Sequence, residues 1–155
     1  MLYIASDGEI PAIAWNPLKR AVHTETLSER TRSVVDKFSL PEVRYIGSDK
    51  QCGCGYRWAM LQNGEWPEAD YRGQDWYEEQ LDEDEGDKRS QEANHDQLGV
   101  ILMGLMDASH SVELYGCWSG EEGAAAKQTI ATRVSELVEP NSVFRERCKY
   151  QIKVT

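Results

Sequence analysis

Apolar residues along this chain fall into short groups at strand or helix spacing, separated by turn-forming residues. Met1–Ala5 is rich in strand formers and is closed by Ser6-Asp7-Gly8, which predicts a first strand. Ile10–Trp15 reads as a second short extended piece, held to an edge or loop by Pro11 and Pro17. Within Ala21–Leu27, Val22, Thr24 and Thr26 alternate with His23, Glu25 and Leu27, the pattern of a strand. Ser28 is placed to cap a short helix running to Lys37, anchored by Val34 and Phe38 four residues apart and stopped by Leu40-Pro41. Val43–Ile46 and Tyr56–Leu61 read as two strands joined by Gly47–Gly55, and Asn63-Gly64 as a hairpin-type turn.

The second half carries the strongest periodic signals. Ala93, Leu98, Ile101, Leu102, Leu105 and Met106 recur at helical spacing and predict a long helix over Ser90–Ala108. Gly99 and Gly104 each cost that helix up to about 1 kcal/mol, which points to close packing on the sheet. Ser111–Trp118 reads as a strand, Ser119–Gly123 as a turn, Thr129–Arg133 as a strand and Val134–Val138 as a short helical turn. At the C-terminal end Phe144, Cys148, Tyr150, Ile152 and Val154 fall on one face, with Arg145, Arg147, Lys149, Gln151 and Lys153 on the other. Glu146 alone breaks that alternation. The pattern predicts a single α+β domain over residues 1–155, in which a mostly antiparallel sheet packs against one long helix at about residues 90–108 plus short helices.

A chain of 155 residues can bury about 70% of its unfolded surface, so it needs neither metal nor disulfides merely to fold. No positively charged leader precedes an apolar run, which leads us to expect a cytoplasmic protein. The longest apolar stretch, Leu98–Met106, is far short of the roughly 20 residues that span a bilayer. The formal charge of −10 is uneven: residues 1–67 are neutral, while residues 68–92 carry eleven acids against three bases. That balance argues against nucleic-acid binding, which needs a basic face. The run Glu78–Asp87 predicts an acidic segment, mobile or irregular, at about residues 66–89.

The chemistry concentrates in Tyr45–Trp58 (YIGSDKQCGCGYRW). If extended, this stretch puts Cys52, Cys54, Tyr56 and Trp58 on one face, while Gly53 and Gly55 leave the other bare for a close approach. Two thiols one residue apart can bind a soft metal, form a redox-active disulfide, or be small structural residues in a reducing compartment. The spacing is not the Cys-x-x-Cys of zinc knuckles. A zinc site would need further ligands from Cys117, Cys148, His23, His95 or His110. Cys117, late in a strand beside Trp118, is the best third candidate, and Cys148 reads as a core thiol. His110 and His95 read as capping or surface residues of the long helix. Dinucleotide, P-loop, metalloprotease, EF-hand and serine-hydrolase patterns all fail on spacing.

Six of the twelve Tyr and Trp residues lie between Tyr56 and Tyr77, directly before the acidic run. Trp66, Tyr71, Trp76 and Tyr77 would form an aromatic surface next to negative charge, suited to a protein partner or to self-association. The stretches MLYIASD, VRYIGSDKQCGCGY and VELYGCW together resemble a family of small bacterial proteins known as a domain of unknown function. The resemblance implies a small stand-alone cytoplasmic domain and no particular activity. The sequence reading is a non-catalytic or accessory protein that interacts through the aromatic and acidic surface. Its alternative is a metal-binding or thiol-redox protein built on the Cys52-Gly53-Cys54 loop.

Overall fold

The computed structural model describes residues 1–59, 85–108 and 110–153. Its frame is a six-stranded sheet in the order β2-β3-β1-β5-β8-β6. The strands are β1 (Leu2–Ser6), β2 (His23–Thr26), β3 (Glu42–Gly47), β5 (Val112–Gly116), β6 (Gln128–Arg133) and β8 (Cys148–Lys153). All neighbours are antiparallel except β6 and β8, which run parallel. Two further short strands, β4 (Trp58–Ala59) and β7 (Phe144–Arg145), pair in parallel as a separate ribbon. Helix α1 (Glu85–Asp107) and the one-turn helix α2 (Val134–Leu137) complete the expected α+β domain.

Both faces of the sheet are covered, so the central strands are buried on both sides. Leu2 and Ile4 of β1 join Val112 and Leu114 of β5, Cys148, Tyr150 and Ile152 of β8, and Leu98, Leu102 and Leu105 of α1 in the main core. Burying each such aliphatic side chain contributes about 1.5–3 kcal/mol. On the opposite face Tyr3, Tyr45, Tyr115 and Cys117 pack with Val34 of a 3-10 helix over Arg32–Lys37 and with Phe38, which follows it. Tyr3 and Tyr45 meet edge to face at 5.7 Å, and Phe38 and Tyr115 do so at 6.4 Å.

Several elements differ from the sequence pattern for identifiable reasons. The segment after Ser28 is a 3-10 helix that begins three residues late, because Ser28 and Thr31 close a local turn on each other. Ile10–Trp15 forms no strand, although Ile13 exchanges hydrogen bonds with Thr24. Helix α1 begins at Glu85, inside the acidic run rather than after it. Gly99 admits Val138, where an added Cβ would lie 2.5 Å from the valine methyl, whereas Gly104 faces open space and packs against nothing. The C-terminal strand is split: after Phe144–Arg145 the chain turns at Glu146–Arg147, with Arg147 in the left-handed region at φ 53°. That conformation costs a non-glycine residue about 1–2 kcal/mol. It is held by the Arg147 guanidinium, which donates twice to the Ala125 carbonyl, and by the Arg147 amide bonded to Gly116 at 2.6 Å.

The first turns of α1 bury polar residues. His95, expected at the surface, is 2% exposed and stacked on Phe144 with ring centroids 5.2 Å apart. Its Nε2 accepts the Arg57 amide at 3.3 Å and its Nδ1 lies 2.7 Å from the Leu137 carbonyl, so the neutral ring protonated on Nδ1 satisfies both neighbours. Burial is the main cause of a pKa below the ordinary histidine value of 6.5. The unfolded chain therefore binds a proton below about pH 6.5 that the folded chain refuses, and folding stability declines as pH falls through that window. Urea unfolding between pH 7.5 and 5 should lose stability by up to about 1.4 kcal/mol per pH unit from this group. His95→Gln should flatten that dependence while lowering stability at pH 7.5 by about 1–3 kcal/mol.

Candidate functional site

The stretch Gly47–Arg57 is not extended. Its first part is a tight loop in which the Ser48 amide bonds the Cys52 carbonyl at 2.8 Å, with Gln51 in the left-handed region at φ 60°. Gly53–Gly55 then forms a single 3-10 turn. Cys52 and Cys54, expected as reduced thiols, are joined in a disulfide across Gly53, with Cα atoms 5.3 Å apart. The turn, rather than a strand, is what brings the two sulfurs together. It also moves Tyr56 away from them into the main core, so the expected shared face does not form.

Helix α1 fastens this loop at both ends. The Asn94 amide nitrogen donates to Asp49 Oδ1 at 2.7 Å and to the Gly55 carbonyl at 2.9 Å, while its oxygen accepts the Asp49 amide at 3.1 Å. Ser90 donates to the other Asp49 oxygen at 2.6 Å. Beyond the turn, the Trp58 indole donates to the Gly53 carbonyl at 2.8 Å. Ser90 and Asn94 were missed by the sequence reading, and His95 was placed at the surface although it is buried. Their signal was available: Asn94 and His95 continue the buried stripe of Leu98, Leu102 and Leu105 backwards by one turn, as polar residues where apolar ones are the norm.

The disulfide opens on a cavity of about 370 Å³, near the low end of the range for small-molecule pockets. The cavity sits where β1 begins, β5 ends and the chain turns from β7 into β8. Its lining includes Cys52, Cys54, Trp58, Cys117, Trp118 and Glu146. Two glycines make room for this arrangement. A Cβ on Gly53 would lie 2.9 Å from Met1 Cα, and one on Gly116 would lie 2.6 Å from the Trp58 ring.

The two cysteines of the disulfide differ in exposure. Cys54 is exposed, whereas Cys52 is half-buried and its Sγ accepts the Cys54 amide at 3.3 Å. Cys117, the expected third thiol, does line the same cavity. Its pKa is pushed up to about 12, chiefly by burial, with Glu122, Glu121 and Glu146 adding to the rise and the Met1 amino group opposing it. Cys117 thus stays a protonated thiol at neutral pH. Cys148 is fully buried in the main core, as expected, with its thiol raised to about 11 mainly by burial.

The histidines stand apart from the cysteines. His95 is committed to Arg57 and Leu137; His110 lies 3.3 Å from Asp7. His23 is fully buried on the edge strand beside Tyr45, 3.3 Å from Glu25, in a contact whose geometry leaves both ring nitrogens without a hydrogen bond among the described residues. Among the described residues no group of three or more His, Cys, Asp or Glu side chains is arranged to hold a metal ion. Trp66, Tyr71, Trp76 and Tyr77 lie outside the described residues. No helix among the described residues is long and apolar enough to cross a membrane. No family model, curated protein or solved structure shows significant similarity to this chain.

Gly53→Ala must push the turn away from β1, because its Cβ meets main-chain atoms rather than a flexible side chain. We expect it to cost about 1–3 kcal/mol in chemical denaturation, with faster labelling of Cys117 by a neutral maleimide. Unchanged stability and labelling would mean that the turn does not close against β1.

Proposed function

We propose that the protein exchanges thiols and disulfides at Cys52 and Cys54, in a cytoplasmic setting where such a pair cycles. The observation that carries this reading is the asymmetry of the two cysteines lining a cavity. Cys54 is open to attack, and Cys52 is set to leave with a hydrogen bond from the Cys54 amide already on its sulfur. A structural role is poorly supported by the connectivity. The bond spans only two positions in the chain and links no two elements, and the loop that holds it is already fixed by Asn94 and Ser90. The stabilisation that a disulfide provides grows with the length of loop it closes, so this one contributes about 2 kcal/mol or less. In a reducing compartment, disulfides that persist are mostly catalytic or redox-sensing.

The reaction balances with a small thiol as co-reactant. The thiolate attacks Cys54 Sγ, the bond to Cys52 breaks, and Cys52 leaves as a thiolate that takes up a proton. A second thiol attacks the mixed disulfide and releases Cys54 Sγ, which is protonated in turn. Two thiols are thereby oxidised to one disulfide, and the protein pair gains two electrons and two protons. In the reverse direction Cys54 carries the mixed disulfide and Cys52 resolves it. Cys117 takes no part, because burial keeps it protonated.

The two single variants separate these roles. Incubated with the small disulfide 2-hydroxyethyl disulfide, Cys52→Ser should accumulate the mixed disulfide on Cys54, seen as an adduct by intact mass spectrometry. Cys54→Ser should form an adduct at least about tenfold more slowly, since its remaining sulfur is the less accessible one. Equal trapping by both variants would remove the assigned asymmetry. A wild-type disulfide that no thiol reduces in the folded protein would remove the function.

A further inference from the structure

The cavity beside the disulfide has a mostly apolar wall. Trp58, Ala59, Cys117 and Trp118 line it together with the two bonded cysteines, while Ser119 and Glu146 are the polar side chains among the described lining residues. Cys117 brings no charge, because burial keeps its thiol protonated. The Trp58 N–H is engaged by the Gly53 carbonyl at 2.8 Å, which leaves the ring as the part a ligand can meet. Trp118 is 49% exposed, a large aromatic surface left in water that an apolar ligand would remove from it. None of the buried polar side-chain atoms that lack a partner among the described residues belongs to this wall. The wall therefore holds no group that waits for a polar ligand.

The wall is also fixed in advance. The Cys117 amide donates to the Met1 carbonyl at 3.0 Å, which holds the end of β5 against the start of β1. The Trp58 ring packs on Phe144 with centroids 5.8 Å apart and fits against Gly116, where an added Cβ would lie 2.6 Å from it. A preformed apolar pocket takes up an apolar group with little ordering of its own side chains. At about 370 Å³ it has room for one ring-sized group beside the disulfide.

We infer that the exchange partner of the Cys52–Cys54 pair is an uncharged low-molecular-weight thiol with an apolar, ring-sized substituent, which the cavity receives against Trp58 and Trp118. This rests on the thiol-exchange reading above and adds the chemical class of the substrate. The thiolate sulfur bonds Cys54 Sγ, the Cys52–Cys54 bond breaks, and Cys52 takes up the proton that the thiol gave up. A second molecule of the thiol then releases Cys54 and leaves as the symmetrical disulfide, so two thiols are oxidised and the protein pair is reduced. A thiol whose substituent is charged or hydroxylated loses water on entering and gains little from this wall in return.

The test compares reduction of the Cys52–Cys54 disulfide in the full chain by benzyl mercaptan, 2-mercaptoethanol and 3-mercaptopropionate. Rates are counted per thiolate and normalised to the same thiols acting on 2-hydroxyethyl disulfide. Benzyl mercaptan should exceed both of the others by at least about tenfold, and Trp118→Ala should bring that ratio down at least about threefold. Benzyl alcohol, which cannot exchange, should bind saturably, shift the Trp58 and Trp118 indole signals in NMR spectra, and slow reduction by benzyl mercaptan. That competition in the wild type keeps the test decisive if the variant does not fold. Equal normalised rates for all three thiols would overturn the inference while leaving thiol exchange intact. A preference for benzyl mercaptan that neither Trp118→Ala nor benzyl alcohol reduces would overturn the role given to the cavity. If no thiol reduces the folded protein, the exchange reading falls and the inference with it, whether or not benzyl alcohol binds.

Discussion

The polar clamp between helix α1 and the Asp49–Gly55 loop is the constraint on which the site depends. A loop this rich in glycine has little side-chain surface with which to hold itself, and glycine loses the most conformational freedom on folding. Hydrophobic burial cannot fix it in one shape. Asn94 does so by joining Asp49 to the Gly55 carbonyl, and Ser90 adds the second oxygen of Asp49. His95, one residue on, fixes the exit of the same loop through the Arg57 amide. These groups are buried or partly buried, where hydrogen bonds are strong and unpaired groups are costly, so the clamp is specific as well as tight.

That clamp explains how the disulfide stands apart from an ordinary hydrophobic core. The main core lies between the sheet and α1, and the second cluster, under the Arg32–Lys37 helix, contains Cys117. The disulfide belongs to neither. It sits on a turn placed over the ends of β1 and β5, with Trp58 tied to the same turn through the Gly53 carbonyl. Gly116 admits the Trp58 ring against the end of β5, so the sheet's own pairing and the wall of the cavity meet at one residue.

Much of this architecture was legible in the residues. Strand-forming composition bounded by turn residues gave β1, β3 and β5, alternation gave β8, and the spacing of Leu98, Leu102 and Leu105 gave α1. Cys52, Cys54 and Cys117, singled out in the sequence, line one cavity. What periodicity could not supply was the conformation of Gly53–Gly55. Glycines take turn or strand with equal ease, and the hydrogen bonds that select the turn come from a helix some forty residues away. His95 was misjudged for a related reason: its neutral ring is paired with main-chain groups that no local pattern reveals. Glu146 was noticed as the one break in a regular alternation. The break marks a bend, and the bend delivers a carboxylate to the cavity.

The shortness of the Cys52–Cys54 link has a consequence for how far it stabilises the fold. In a thermodynamic cycle, the stability that a cross-link adds equals the difference between the ease of forming it in the folded and in the unfolded chain. A link closed within a turn that is already held by Asn94 adds less than one that closes a long loop, so the two sides of that cycle differ by about 2 kcal/mol at most. Breaking or forming the bond would then change the resistance to unfolding by about 2 kcal/mol at most.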